Sequence, residues 1–278
     1  MTIPITLDNL LEIINRLAPF DLAEAWDNVG LMVGDPGREV RGIMTALDPT
    51  EDLLTEARES NCNVIITHHP LIFQPLKSIR LDQPLGRLLA AALAADIAII
   101  ACHTNLDTIE PGVSDILARR LGLTDLRPLA PPTTAAADSD LPGPQGFGRI
   151  GSLPEPIDGQ RFLADLRRRL EVEAVTLAGR LPDLLRTVAV CGGSGSELAE
   201  IARAKGADLY LSAEIKHSVA RWAEAVDFCV IDAGHFATEN PVVPELAARL
   251  RETLAAQGRS RPVLTSRRQR APFKINLT

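Results

Sequence analysis

The sequence has few aromatic residues: 7 Phe, 2 Trp and 1 Tyr in 278 positions, or 4%. The core must therefore be aliphatic, and the chain is long enough for two packed domains. Cysteine is scarce as well. Cys62, Cys102, Cys191 and Cys229 sit in or beside strand-like runs and form no C-x-x-C pair. This argues against a disulfide framework and for buried free thiols in a reducing compartment. No apolar run is long enough to span a membrane. The first residues lack the basic start and cleavage site of a signal peptide, so a cytoplasmic protein is expected. Excess positive charge is missing too. The net charge of −7 argues against nucleic acid as a partner. The tail from Arg259 to Lys274 departs from this balance, with Arg259, Arg261, Arg267, Arg268, Arg270 and Lys274 and no acid. It reads as a solvated edge strand and loop, or as an anion patch.

Five histidines are present, and all but one fall in three motifs. Two share a pattern: His103-Thr104-Asn105-Leu106-Asp107 and His235-Phe236-Ala237-Thr238-Glu239. Each places a carboxylate four residues after an imidazole. Each follows an apolar run, Ile97–Cys102 or Phe228–Ala233, that reads as a buried strand. The third motif, Val64-Ile65-Ile66-Thr67-His68-His69-Pro70, is a strand run ending in adjacent histidines. The fifth, His217, closely follows another strand. Imidazole and carboxylate are ligand types for zinc, iron and similar divalent metals.

The two halves repeat one plan. Ile43–Leu47, Glu51–Ser60 and Val64–Thr67 read as strand, helix, strand. So do Val188–Cys191, Glu197–Lys205 and Leu209–Ser212, and His69 then falls opposite Glu214. Each half continues through a helix (Leu85–Ala95; Ser218–Ala225) to the strand before its His-x-x-x-acid motif. One β-α-β-α-β unit used twice implies a mostly parallel sheet in each half, an α/β fold. Ligands on such sheets gather beyond the carboxyl ends of the strands, where these polar residues lie. A cleft between the halves could collect ligands from both.

Thr6 caps an amphipathic helix bearing Leu10, Ile13, Ile14 and Leu17. The main break is Pro128–Asp158, whose proline, glycine and alanine composition reads as a linker or long loop; Gly146–Gly151 within it reads as a short strand. The division expected is 1–128 and 129–278. Gln160–Leu170 and Pro244–Gln257 read as helices, Pro262–Leu264 as a short strand, and Leu71–Pro84 as a loop covering the site.

A closed zinc site takes about four ligands. His68, His69, His103, Asp107, His235 and Glu239 are more than that, so the residues suggest a two-metal site with Glu239 as the bridge. Adjacent histidines face opposite sides of a strand end; each can bind its own ion, or one can bind while the other orients. Hydrogen-bonded core histidines remain the alternative for His68 and His69, helix-cap acids for Asp107 and Glu239. His103 reads equally as a ligand or as a partner that orients one. Glu214 and Lys216 read as proton-transfer or anion-fixing groups, or as surface charge. Cys102, next to His103, should point away from it. Gly192-Gly193-Ser194-Gly195 reads as a tight strand-to-helix turn or a phosphate cradle, and matches neither the P-loop nor the dinucleotide fingerprint.

At these positions the sequence resembles the NIF3-like family, also called the GTP cyclohydrolase 1 type 2 family. The matching segments are Trp26–Leu31, Thr67–Pro70, His103–Asp107, Gly146–Gly151 and Gly234–Glu239, in the family's order along nearly the whole chain. The resemblance implies two interlinked α/β domains, a dinuclear metal centre, and a toroidal homohexamer. The implied ligands are His68, His69, Asp107, His235 and Glu239, holding two divalent ions; zinc, iron and manganese suit the donors alike. The chain looks like a compact member without the domain that longer ones insert. Phe236 stands where the family often has another histidine. Two functions compete: a metal-dependent hydrolase of a nucleotide-like or cyclic C–N substrate, and a non-enzymatic metal-binding or scaffold toroid.

Overall fold

The computed structural model describes residues 4–132 and 143–274. The chain divides into two compact units: Met1–Leu106 with Val243–Arg270, and Asp107–Val242 with Ala271–Thr278. The first unit is thus built from two separate stretches of chain, and the domains are interlinked.

The first unit opens with α1 (Leu7–Leu17). Thr6 accepts the Asn9 N–H, and the Asn9 side chain returns the bond to the Thr6 N–H, closing a capping box. Leu7, Leu10, Ile13 and Ile14 form its buried stripe. After β1 (Gly30–Val33) come β2 (Ile43–Ala46), α2 (Glu51–Glu59), β3 (Val64–Thr67), α3 (Pro84–Ala94) and β4 (Ala98–Ala101). The chain crosses to the second unit within α4 (Thr104–Thr108) and returns to supply α10 (Val242–Ala256) and β11 (Val263–Thr265). The sheet order is β1-β4-β3-β2-β11. All neighbours are parallel except β1 against β4. Every residue of β2, β3 and β4 is buried. That burial explains their unbroken apolar runs, since a parallel sheet is covered on both faces. Met44, Ile65 and Ile99 pack with Leu53, Ala57, Leu88 and Ala92 of α2 and α3.

The second unit contains α5 (Val113–Leu121), β5 (Thr124–Ala130), β6 (Phe147–Asp158), α6 (Gly159–Leu170), β7 (Thr176–Ala178), β8 (Leu184–Ser194), α7 (Ala199–Ala204), β9 (Leu209–Ala213), α8 (His217–Ala225), β10 (Cys229–Asp232) and α9 (His235–Glu239). Its sheet runs β5-β6-β8-β9-β10-β7. Alternate strand residues feed opposite layers. Val188, Val190, Leu209, Leu211 and Ile231 pack with Leu117, Phe162 and Leu166 of α5 and α6. Ala189, Tyr210 and Val230 pack with Ala199, Ala202 and Ala223 of α7 and α8.

The expected β-α-β-α-β repeat is present in both units, as β2-α2-β3-α3-β4 and β8-α7-β9-α8-β10. Each set is a parallel run. The second sheet also carries antiparallel β5, β6 and β7, which the alternating pattern did not foretell. Much of the segment read as a linker is strand: β5 pairs with β6, and β6 with β8. Proline and glycine hid this. Gly146 and Gly151 lie where a Cβ would collide with Ala130 O and Thr124 O, so close strand approach demands them. Residues 133–142 of that segment lie outside the described residues. The compact units accordingly divide at 106/107, not at 128/129, and β11 joins the first sheet beside β2.

The basic tail is the edge strand and its loop. Two of its charges are tied back to the rest of the first unit, where Arg261 bonds Val40 O and Glu39 and Arg268 pairs with Glu59; Glu56 also accepts the Arg267 backbone N–H. All four cysteines are free and buried. Among the described residues no helix is long and apolar enough to cross a membrane.

The second unit also buries an ion pair. Arg149 and Asp115 side chains are each 1% exposed, with Nε 2.7 Å from Oδ1. Arg149 donates further to Gly146 O, Gly148 O and Ile109 O. Arg149→Met should destabilise the protein by about 3–5 kcal/mol, because it strands the buried Asp115 charge. Chemical denaturation measures this, and a loss under about 1 kcal/mol would contradict it.

Candidate metal centre

In the first unit, His68 and His69 leave the end of β3, and His103 follows β4. The sheet continues past the strand ends: Cys102 N–H bonds Thr67 O, and the His68 and His69 N–H groups bond Ala46 O and Leu47 O. Parallel neighbours therefore deliver three imidazoles to one place. Ring centroids are 5.0 Å apart for His68 and His69, 5.2 Å for His68 and His103, and 5.8 Å for His69 and His103. One ligand atom from each lies within 4.8 Å of the others.

Each ring is held at Nδ1. His68 Nδ1 is 2.8 Å from Cys102 O, and a carbonyl oxygen only accepts. Nδ1 therefore carries the proton, and Nε2 is the nitrogen able to bind a cation. His69 Nδ1 is 2.7 Å from Asp48 Oδ1, and His103 Nδ1 is 2.8 Å from Asp27 Oδ1. A carbonyl or carboxylate on the far nitrogen is how metal-binding histidines are oriented. Asp27 has its side chain fully buried (0% exposed). Burial alone would raise its carboxyl, but hydrogen bonds from His103 and Thr104 outweigh it and bring it down to about 2.

The second unit repeats the device. His235 begins α9 after Gly234, which has φ +84°. Its Nδ1 is 2.9 Å from Glu214 Oε1, and its Nε2 is 2.9 Å from Glu239 Oε2 one turn along the helix. Two atoms each about 2 Å from one ion sit roughly 3 Å apart, so this pair fits a shared cation. Glu239 is buried, with 4% exposed. Asp107 and Glu239 both act on Cys191: burial, then these two carboxylates, push its thiol up to about 12. Burial also pushes the Cys102 thiol up to about 12. These thiols are poor ligands in this state, and Cys102 meets the centre through its carbonyl.

The structure thus gathers His68, His69 and His103 in one unit, and His235, Glu214 and Glu239 in the other. Lys216 is exposed, and its backbone N–H bonds Ser196 Oγ at the start of α8. His217 is the exposed first residue of α8. The glycine turn forms no open phosphate cradle at Gly192 and Gly193. Their N–H groups are engaged by Ser114 Oγ and Thr238 Oγ1. Gly193 has φ +64°, and a Cβ there would lie 1.9 Å from Glu239 Oε1 and 3.2 Å from His235 Nε2. The glycine gives the cluster room.

Sequence reading missed Asp27, Asp48 and Gly193. Asp48 lies in the short connection between the strand Ile43–Leu47 and the helix Glu51–Ser60, where nothing marked it. Asp27 carried a signal only through its place in Trp26-Asp27-Asn28. The loop after His69 does adjoin the centre, with Phe73 edge-on to His103 at 6.2 Å.

Such a set of oriented imidazoles and carboxylates on two α/β units defines a candidate metal-binding protein. The Duf34/NIF3 (NGG1p interacting factor 3) family model matches residues 5–272, and the chain belongs to that family. A Clostridium acetobutylicum protein named GTP cyclohydrolase 1 type 2 homolog is 33% identical over 267 residues, covering 96% of this chain and 97% of the relative. One of the same name from Streptomyces coelicolor is 36% identical over 249 residues, covering 88% and 86%. The solved structure of a Bacillus cereus protein related to NIF3 matches with TM-score 0.90 at 26% identity, covering 98% of this chain and 99% of that one.

Asp48→Asn, which alters the clamp on His69, should weaken metal binding about 10–100-fold while the fold persists. Calorimetric titration with zinc reads this, and an unchanged affinity would remove Asp48 from the centre. Gly193→Ala should displace Glu239 and lower metal content, because both the backbone conformation and the space forbid the methyl. Elemental analysis of purified protein checks it; full metal content in the variant would refute the packing argument.

Proposed function

We propose that the chain is a metal-dependent hydrolase of the GTP cyclohydrolase 1 type 2 kind, acting on a nucleotide-like or cyclic C–N substrate. The carrying observation is the His68–His69–His103 cluster, in which each ring is held at Nδ1 by an acceptor. The proposed ligands of two divalent ions are His68 and His69 in the first unit and Asp107, His235 and Glu239 in the second. Zinc, iron and manganese suit these donors. When bound, such ions make water acidic enough to yield hydroxide near neutral pH and polarise a substrate oxygen.

The chain's own residues position and move protons. Asp48 and Glu214 hold the proton on Nδ1 of His69 and His235, keeping Nε2 for binding. Asp27 does the same for His103, and its low pKa keeps it an acceptor across ordinary pH. His103, at 17% side-chain exposure, is the group proposed to exchange a proton with a substrate, with the buried Asp27 steadying its charged form. Lys216 is proposed to fix an anionic group. The chain is further proposed to act in the cytoplasm as a toroidal homohexamer.

One observation favours a second reading, a metal-binding or scaffold toroid without catalysis. The glycine turn's N–H groups at Gly192 and Gly193 already have internal partners, which removes one ready means of holding phosphate.

The test is turnover of GTP and a nucleotide panel by metal-reconstituted protein, beside Glu239→Ala. The expected result is wild-type turnover that falls at least about 100-fold in the variant. Wild-type protein with about two ions per chain and no turnover would favour the second reading.

A further inference from the structure

Two of the exposed large apolar side chains of the first unit stand beside its histidine cluster. Trp26 is 57% exposed and Phe73 is 43% exposed. Their ring centroids are 5.9 Å apart, with planes at 64°. Each also lies 6.2 Å from the His103 centroid, edge-on. The pair is held from behind. Asn28 Nδ2 donates to Ile72 O at 2.6 Å, tying the Trp26 segment to the Phe73 loop. Asp27, next to Trp26, is anchored to His103 and Thr104. In a chain with only 2 Trp, an indole left open beside a polar cluster is an unusual use of a scarce residue. Its counterpart, Trp222, packs edge-on against Phe228.

We infer that Trp26 and Phe73 form a stacking corner that holds a planar conjugated heterocycle, such as a nucleobase, against the His68–His69–His103 cluster. The inference rests on the hydrolase reading and narrows its substrate class. The indole offers a π face, the phenyl ring crosses it as an edge, and a ring stacked there lies within a ring's breadth of His103. A π face favours flat conjugated rings over puckered ones. A saturated cyclic amide has no face to stack and should bind poorly.

The test uses the full, metal-loaded chain carrying Trp222→Phe, so that Trp26 is the remaining indole. Guanosine is the planar probe and 2-piperidone the saturated one. Guanosine should quench Trp26 fluorescence saturably, and 2-piperidone should not. By equilibrium dialysis, Trp26→Ala and Phe73→Ala should each bind guanosine about tenfold more weakly, Trp26→Phe should retain most of the affinity, and metal content should stay at the wild-type value. Unaltered guanosine binding in Trp26→Ala would overturn the proposal even if the enzyme turns over. So would fluorescence that ignores guanosine but shifts on dilution, which would put a second copy of the chain on the corner. Saturable quenching without any turnover would uphold the corner and remove the hydrolase reading alone.

Discussion

A guanidinium sealed from water organises the second unit. Arg149 binds Asp115 and three backbone carbonyls, and Asp115 also accepts the Gly112 N–H. All three guanidinium nitrogens are engaged, and breaking such a buried pair costs about 3–5 kcal/mol because it leaves a charge without its partner. It joins the start of α5 to β6. Ser114, in the first turn of α5, engages the glycine turn. The turn in turn touches Glu239 and His235. The turn beside Glu239 is thus linked through α5 to the buried ion pair.

The histidine clusters rest on a second constraint, applied four times with different partners. A backbone carbonyl holds His68, and carboxylates hold His69, His103 and His235. Each clamp selects the tautomer and leaves Nε2 for the ligand. Despite its burial, hydrogen bonds from His103 and Thr104 bring the Asp27 carboxyl down to about 2, so that clamp stays an acceptor. Both functional readings draw on this one arrangement.

Much of this was legible in the chain. Val64–Thr67 and Ala98–Ala101 are buried on both faces, so their strands were unbroken apolar runs. The polar residues after them stood out because nothing apolar masked them. The paired β-α-β-α-β units were legible for the same reason. Strand β5 and the later part of β6 were not, although Gly146–Gly151 at the start of β6 did read as a short strand. Pro128 in β5 and the glycines around the start of β6 are residues of loops as well, and composition alone cannot separate the two uses. Asp27 and Asp48 were hidden in a different way. A clamp's sequence distance from its histidine is arbitrary, and Asp27 lies 76 residues from His103.

The sequence by itself determined the class of fold, the presence of a histidine and carboxylate chemistry, and which strand ends carry it. These follow from local periodicity and residue type, which each segment states alone. Tertiary structure decided which nitrogen each ring presents, that the glycine turn makes room for Glu239 instead of cradling phosphate, and that the first unit needs the chain's return through α10 and β11. Those outcomes depend on partners distant in sequence, and only the folded chain brings them within hydrogen-bonding reach.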